Sequence, residues 1–289
     1  MNTKALRRRV ACLLLVALAP VACTNDSTDR RFFGKSLLVV GMHNDLPGVS
    51  LLENYQRSGT DVLLTTMLKT KLKVEISPTE VSSKDRITKL RSGQVDLVVG
   101  SFSITPERMR QIDFVGPYLT TRQGFLVGPD DANIKVLADL NGKRVCTWEG
   151  TTSENALEQL RTQKVDMLIE ADATTCMADL KSGRVAAVST DQTILYGYAN
   201  LNAAAGFRVV PDLTIGAPQH YGIGLPKGHR DDCRRLKGII KEYVESSAWI
   251  EAIRVSLPQI PIQAPGWISN YKPIASTVDK YSCLDEPIP

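Results

Sequence analysis

Two stretches about ninety residues apart follow the same plan: SSKDRITKLRSGQVDLVVG (82–100) and TTCMADLKSGRVAAVS (174–189). Each runs from a helical pattern through Ser-Gly into a short β-branched apolar run. The glycine lets the chain leave a helix through a left-handed turn, and the apolar run suits a strand buried on both faces. A helix feeding such a strand is half of a βαβ unit, which needs a parallel neighbour and helices on both sides of the sheet. Two copies predict two similar α/β lobes, and 289 residues are enough for both.

The rest of the chain alternates in the same way. Strands are expected at LLVVG (37–41), KLKVEI (71–76), VDLVVG (95–100), KRVCT (143–147), VDMLIE (165–170) and VAAVS (185–189). Helical periodicity falls near 60–70, 82–91, 105–111, 152–161, 174–181 and 191–201. The fold class is therefore α/β with parallel or mixed sheets. Pro258, Pro261, Pro265 and Pro273 punctuate the last thirty residues, predicting an irregular tail on the surface.

The first residues, MNTKALRRRVACLLLVALAPVAC, place Lys4, Arg7, Arg8 and Arg9 before a short apolar run that ends in small residues at Cys23. The run is too short to span a bilayer comfortably and reads as a secretion signal over 1–22. LAPVA followed by Cys23 resembles a bacterial lipobox, which implies a lipid on Cys23, a polar tether over 23–35 and a protein held on the outer face of the cell membrane. The leader carries four of the 35 Lys+Arg and no acid, so 31 basic residues remain against 31 acidic ones. A balanced surface argues against nucleic acid as a partner.

Of six cysteines, Cys12 lies in the leader and Cys23 at its end, leaving Cys146, Cys176, Cys233 and Cys283. Four cysteines in an exported chain predict two disulfides, with three possible connectivities. No spacing suits zinc, and no metal is expected.

Two segments carry recognition chemistry. In CTWEGTTSENALEQL (146–160), GTTSE opens a helix, which is an ordinary cap and also an anion receptor, since backbone N–H groups point outward at the helix start. In VVGSFSITPERMRQIDFVGPYL (98–119), Thr105 and Pro106 open a helix with Arg108 in its first turn. A cation at the positive end of a helix calls for a compensating anion, and a guanidinium grips a carboxylate with two parallel bonds. The plain alternatives are that Arg108 pairs with Asp113 and that Thr151, Thr152 and Asp191 only cap helices.

GSFSITPERMRQIDFVGPY, KRVCTWEGTTSE (143–154), AAVSTDQTILYGY (186–198) and QHYGIGLPKG (219–228) together resemble the polar amino-acid branch of bacterial solute-binding proteins, family 3, the capture subunits of ABC importers. The likeness runs from about Leu37 to Ile253. It implies a type II periplasmic-binding-protein fold with the ligand between two lobes. Lobe one would be 36–124 and 222–289, lobe two 125–221, and the hinge QGFLVG (123–128) and YGIGL (221–225). It implies that Arg108, with the N–H and hydroxyl of Ser103, holds the ligand α-carboxylate, and that Thr151 and Thr152 donate to it from the other lobe. Asp191 would accept the α-ammonium with the Ser101 carbonyl. Arg86 would meet a side-chain carboxylate, and His43 stands where such binders carry a cation, so glutamate or aspartate is expected ahead of glutamine or asparagine.

The same resemblance implies a Cys146–Cys176 disulfide bracing the receptor turn, which leaves Cys233–Cys283 to pin the tail to the helix beginning near Asp231. It implies a monomer with no cofactor, whose partners are a small amino acid, ABC permease subunits and, through the lipid, the membrane. The chain departs from the family pattern at GTDVLL (59–64) and lacks aromatic residues at Leu46 and in SPTEV (77–81), leaving Phe102 and Trp148 to flank the ligand. Three other readings stay open. One is a dehydratase-like enzyme on the same scaffold, with Glu149 as its acid, although GxSxG, HExxH and phosphate-loop motifs are absent. The others are a sensor signalling to a membrane partner and a relative that binds nothing.

Overall fold

The computed structural model describes residues 34–160 and 164–288. The leader, Cys23 and the tether through residue 33 lie outside the described residues.

The chain enters through β1 (Leu37–Met42), then β2 (Asp45–Leu46), β3 (Ser50–Glu53) and β4 (Gln56–Ser58). The last three form a small antiparallel sheet turned by Asn54 and Tyr55, both at positive φ, which alternation alone did not reveal. Helix α1 (Thr60–Leu72) follows and ends where Lys73 turns left-handed at φ 57°. That termination explains a correction: KLK belongs to the helix end, and the strand expected at 71–76 is β5 (Glu75–Glu80). Next come α2 (Arg86–Arg91), β6 (Leu97–Val98), α3 (Pro106–Gln111) and the long β7 (Asp113–Val127).

The second series is β8 (Arg144–Trp148), α4 (Thr152–Glu158), β9 (Asp166–Glu170), α5 (Ala173–Lys181), β10 (Ala187–Asp191) and α6 (Gln192–Leu201). The chain then returns through β11 (Arg208–Val209) and β12 (Ile215–Leu225) to α7 (Arg230–Glu245) and α8 (Ser247–Ser256). Both Ser-Gly steps do what the sequence asks, with Gly93 and Gly183 at φ 72° and 73° between helix and strand.

The other strands form one sheet in the order β5-β1-β6-β12-β7-β10-β8-β9, with β11 also on β7. Its two ends, β5-β1-β6 and β10-β8-β9, are parallel blocks. Between them β12 and β7 run antiparallel to each other and to their outer neighbours. The first part of β7 is registered against β12 and its last five residues against β10, so one strand serves both blocks. Leu38, Val40, Leu64 and Leu68 are fully buried beneath the first block, and Phe125, Val127, Val145 and Ala187 beneath the second.

The tail is not irregular. It forms α9 (Gln259–Gln263), α10 (Trp267–Tyr271) and α11 (Ala275–Tyr281). Pro258 caps α9, Pro261 falls in its first turn, where an N–H has no intrahelical partner, and Pro265 and Pro273 lie between helices. The tail crosses back over β7. Tyr271 Oη donates to Gln192 Oε1 at 3.0 Å on one side, and Cys283 N donates to Phe114 O at 2.9 Å on the other. The disulfides are Cys146–Cys176 and Cys233–Cys283, with Cα atoms 5.6 and 5.8 Å apart, which resolves the open connectivity.

Candidate functional site

The loops that leave the C-terminal ends of the two parallel blocks face each other across the middle of the sheet, the usual place for a ligand in an open α/β sheet. His43 follows β1, Arg86 begins α2, and Ser101 and Ser103 follow β6. Thr151 and Thr152 follow β8, and Asp191 ends β10. All eight residues singled out in the sequence line one cavity of about 20 Å³, with Ser83, Leu46, Trp148, Thr190 and Ile194. A cleft of about 560 Å³ bordered by Lys84, Arg110 and Glu154 opens beside it, and one of about 300 Å³ bordered by Asp45, Glu80 and Asp172 lies at another edge.

Arg108 is placed by its helix. Thr105 Oγ1 accepts from the Arg108 N–H at 3.2 Å, capping α3, and Pro106 sets the first turn. The guanidinium donates to Ser103 O at 2.8 Å and to Gly150 O at 2.9 Å. The plain alternative fails, because Asp113 pairs with Lys227 at 2.9 Å instead. Arg86 is only 3% exposed, so it is no solvated helix residue. It donates to Ser83 O at 3.0 Å, Gly100 O at 2.8 Å, Ser101 O at 3.3 Å and Gly150 O at 3.2 Å. Among the described residues, four bonds leave the Arg86 fork one N–H, whereas Arg108 keeps three of its five.

Both guanidiniums lie over Phe102, at 4.3 and 5.1 Å from the ring centroid. Burial lowers the Arg86 pKa to about 9, with repulsion from Arg108 adding to it, and burial lowers Arg108 to about 10. Both are charged at neutral pH. Two desolvated like charges on one ring make a strong anion attractor.

Ser101 adopts a left-handed φ of 46°. Its N–H is held at 2.9 Å by Asp61 Oδ2, and Asp61 Oδ1 accepts from Tyr118 at 2.9 Å. Asp61 is fully buried, and desolvation raises its pKa to about 7. The Ser101 hydroxyl is buried without a partner among the described residues.

On the opposite side, Thr151 donates its hydroxyl to Trp148 O at 2.8 Å and makes no side-chain cap bond. Thr152 Oγ1 accepts from Gln123 Nε2 at 3.0 Å. Asp191 sits at the N-cap position of α6 yet makes no cap bond either, so its plain reading also fails. Its Oδ2 accepts from Tyr221 Oη at 2.7 Å, while Oδ1 is buried with no partner among the described residues. Burial raises the Asp191 pKa to about 6, which leaves it ionised at neutral pH.

His43 requires a correction. It lines the cavity but is only 5% exposed. Desolvation first, then the charge of Arg86, lowers its pKa to about 3, so it is a neutral imidazole and offers no cation. Glu149 lies at the rim, half-exposed and paired to Lys84 at 2.6 Å, not inside the cavity. Among the described residues no helix is long and apolar enough to cross a membrane, and no His, Cys, Asp and Glu group is arranged to hold a metal.

Sequence reasoning missed Asp61, Tyr221 and Gln123, which hold the lining residues in place. Asp61 reads in GTDVLL as an acid in a helix's first turn, and nothing local announces its burial. Gln123 ends a polar run, Thr120-Thr121-Arg122-Gln123, so nothing in the strand's own sequence sets it apart.

The family model described as bacterial extracellular solute-binding proteins, family 3, matches residues 38–141. A glutamate-binding protein of Corynebacterium glutamicum is 32% identical over 254 residues, covering 80% of this chain and 84% of that protein. Another, from Corynebacterium efficiens, is 36% identical over 156 residues, 51% of each chain, so that match spans about half of the relative. An ancestral arginine-binding protein solved with glutamine has a TM-score of 0.70 at 28% identity, over 77% of this chain and 98% of that one. Its fold, the type II arrangement of two α/β blocks joined by two long strands, is the one seen here. The shared sequence, together with that fold, places the chain in family 3 of the bacterial extracellular solute-binding proteins.

Proposed function

We propose that the chain captures a polar amino acid outside the cytoplasm, glutamate or aspartate ahead of glutamine or asparagine, and presents it to the permease of an ABC-type importer. One observation carries this reading. The guanidiniums of buried Arg86 and half-buried Arg108 line one side of a small cavity, and two threonines with a buried carboxylate, one of whose oxygens has no partner among the described residues, line the other. A zwitterion is the small molecule that satisfies both. Its α-carboxylate falls to Arg108, Ser103, Thr151 and Thr152, and its ammonium to Asp191 and the Ser101 carbonyl. The remaining Arg86 N–H meets a side-chain carboxylate, which favours acids over amides. An anion here also relieves the repulsion between the two arginines.

The cavity of about 20 Å³ has room for about one water, so an amino acid is admitted when the Arg86 and Arg108 bonds to Gly150 part. The moving bodies in this reading are residues 36–124 with 222–289 and residues 125–221, pivoting on β7 and β12. The ligand bridges them and shifts the balance toward closure. The protein works as a monomer held to the membrane by a lipid on Cys23. Relatives named as glutamate-binding, and a similar fold solved with glutamine, support this class of ligand.

A thermal-shift panel of the twenty amino acids tests the proposal, because a ligand that binds only the folded state raises the melting temperature. Glutamate or aspartate is expected to give the largest shift, confirmed by calorimetry. No response to any amino acid ends the proposal.

A further inference from the structure

We infer that Gln123 is a positioning residue that aims the Thr152 hydroxyl at the ligand carboxylate; this rests on the function proposed above. Gln123 is fully buried in β7. It is registered against Asp191 of β10 on one side and Ile215 of β12 on the other, where the two blocks meet. Its backbone therefore lies beside the ammonium acceptor, while its side chain reaches the carboxylate end through Thr152. One residue thus fixes the spacing between Thr152 and Asp191, two of the ligand contacts of the second block.

The direction of the hydrogen bond matters. A hydroxyl carries one proton and accepts through its lone pairs. Because Gln123 Nε2 donates to Thr152 Oγ1, that oxygen's own proton is not used on Gln123 and stays free for an anion in the cavity. An acceptor in the same place would draw the proton away from the cavity. At the other end of the amide, Gln123 Oε1 is buried with no partner among the described residues. For packing alone, an apolar side chain of similar volume would fill the slot without leaving a buried oxygen unpaired. What Gln123 adds over such a side chain is the N–H.

The test is a double-mutant cycle read by calorimetry with L-glutamate. Gln123→Met keeps the volume and removes the donor, and Thr152→Val removes the hydroxyl. Alone, Gln123→Met is expected to weaken binding three- to tenfold; in the Thr152→Val background it should change affinity less than twofold. Gln123→Glu, nearly the same shape but an acceptor, should weaken binding at least tenfold. Melting temperature is recorded for each, and Gln123→Leu takes the place of Met if that variant is poorly folded. An equal loss from Gln123→Met in both backgrounds makes the residue merely structural and overturns the inference, as does wild-type affinity in Gln123→Glu. A wild-type protein that binds no amino acid instead removes the function on which the inference rests.

Discussion

Gly197 offers a direct test of closure. It lies inside α6, and a Cβ built there would sit 1.8 Å from the Pro47 carbonyl oxygen, a backbone atom of the facing block. Real Cβ contacts stay beyond 3.0 Å, so Gly197→Ala forces the two surfaces at least 1.2 Å apart. The adjacent Tyr198 Oη bond to Asp45 O, 2.6 Å long, would stretch to about 3.8 Å and be lost. Losing one neutral bond of about 1 kcal/mol and one charge-assisted ligand bond of about 1.5–3 kcal/mol raises Kd roughly a hundred- to a thousandfold. The substitution should not unfold the protein. Alanine is better than glycine in a helix by about 1 kcal/mol, so the melting temperature without ligand should hold or rise. Calorimetry with L-glutamate gives the affinity, and small-angle scattering with and without ligand gives the shape. Wild-type affinity with an unchanged ligand-induced compaction would refute the reasoning.

Further predictions follow from the site. Arg108→Ala removes two charge-assisted contacts and should weaken amino-acid binding at least a hundredfold by calorimetry. Arg86→Ala should cost acidic ligands more than their amides in the same assay. Asp191, raised to about 6, accepts an ammonium only when ionised, so affinity should be flat above pH 7 and fall by up to about tenfold per unit below pH 6. The same shift works oppositely on stability. Between about pH 4 and 6 the folded state holds a proton that the unfolded chain has lost, so the Asp191 contribution to stability falls as pH rises, and Asp191→Asn should lose that slope in thermal melts. Replacing Cys146 and Cys176 together by alanine opens a link across 30 residues and should cost about 2–4 kcal/mol, measured by denaturant unfolding.

The sequence disclosed the fold through local rules that survived folding. The Ser-Gly steps, the β-branched runs and the order of four motifs placed both parallel blocks and brought eight residues to one cavity. Boundaries slipped where two local rules competed, as at 71–76, where helix continuation through Leu72 overrode strand propensity. The prolines were misread in the tail because their position within a turn, not their number, decides whether a helix survives. What could not be read was burial arising between distant segments. His43 is kept neutral by burial first and by the charge of Arg86 second, and the hydrogen bonds that consume most of Arg86 go to Ser83, Gly100, Ser101 and Gly150. Asp61, Tyr221 and Gln123 act through residues they meet only after the chain has doubled back.

The order of strands in the sheet also constrains how the molecule is assembled. Residues 129–210 supply most of one parallel block from a contiguous piece of chain, whereas β6 of the other is completed by β12, more than a hundred residues later, and β7 is covered only by the last few turns. During synthesis from the N-terminus, the inserted piece can consolidate while its host still lacks a neighbour strand. The host matures last, when Cys283 arrives beside Cys233.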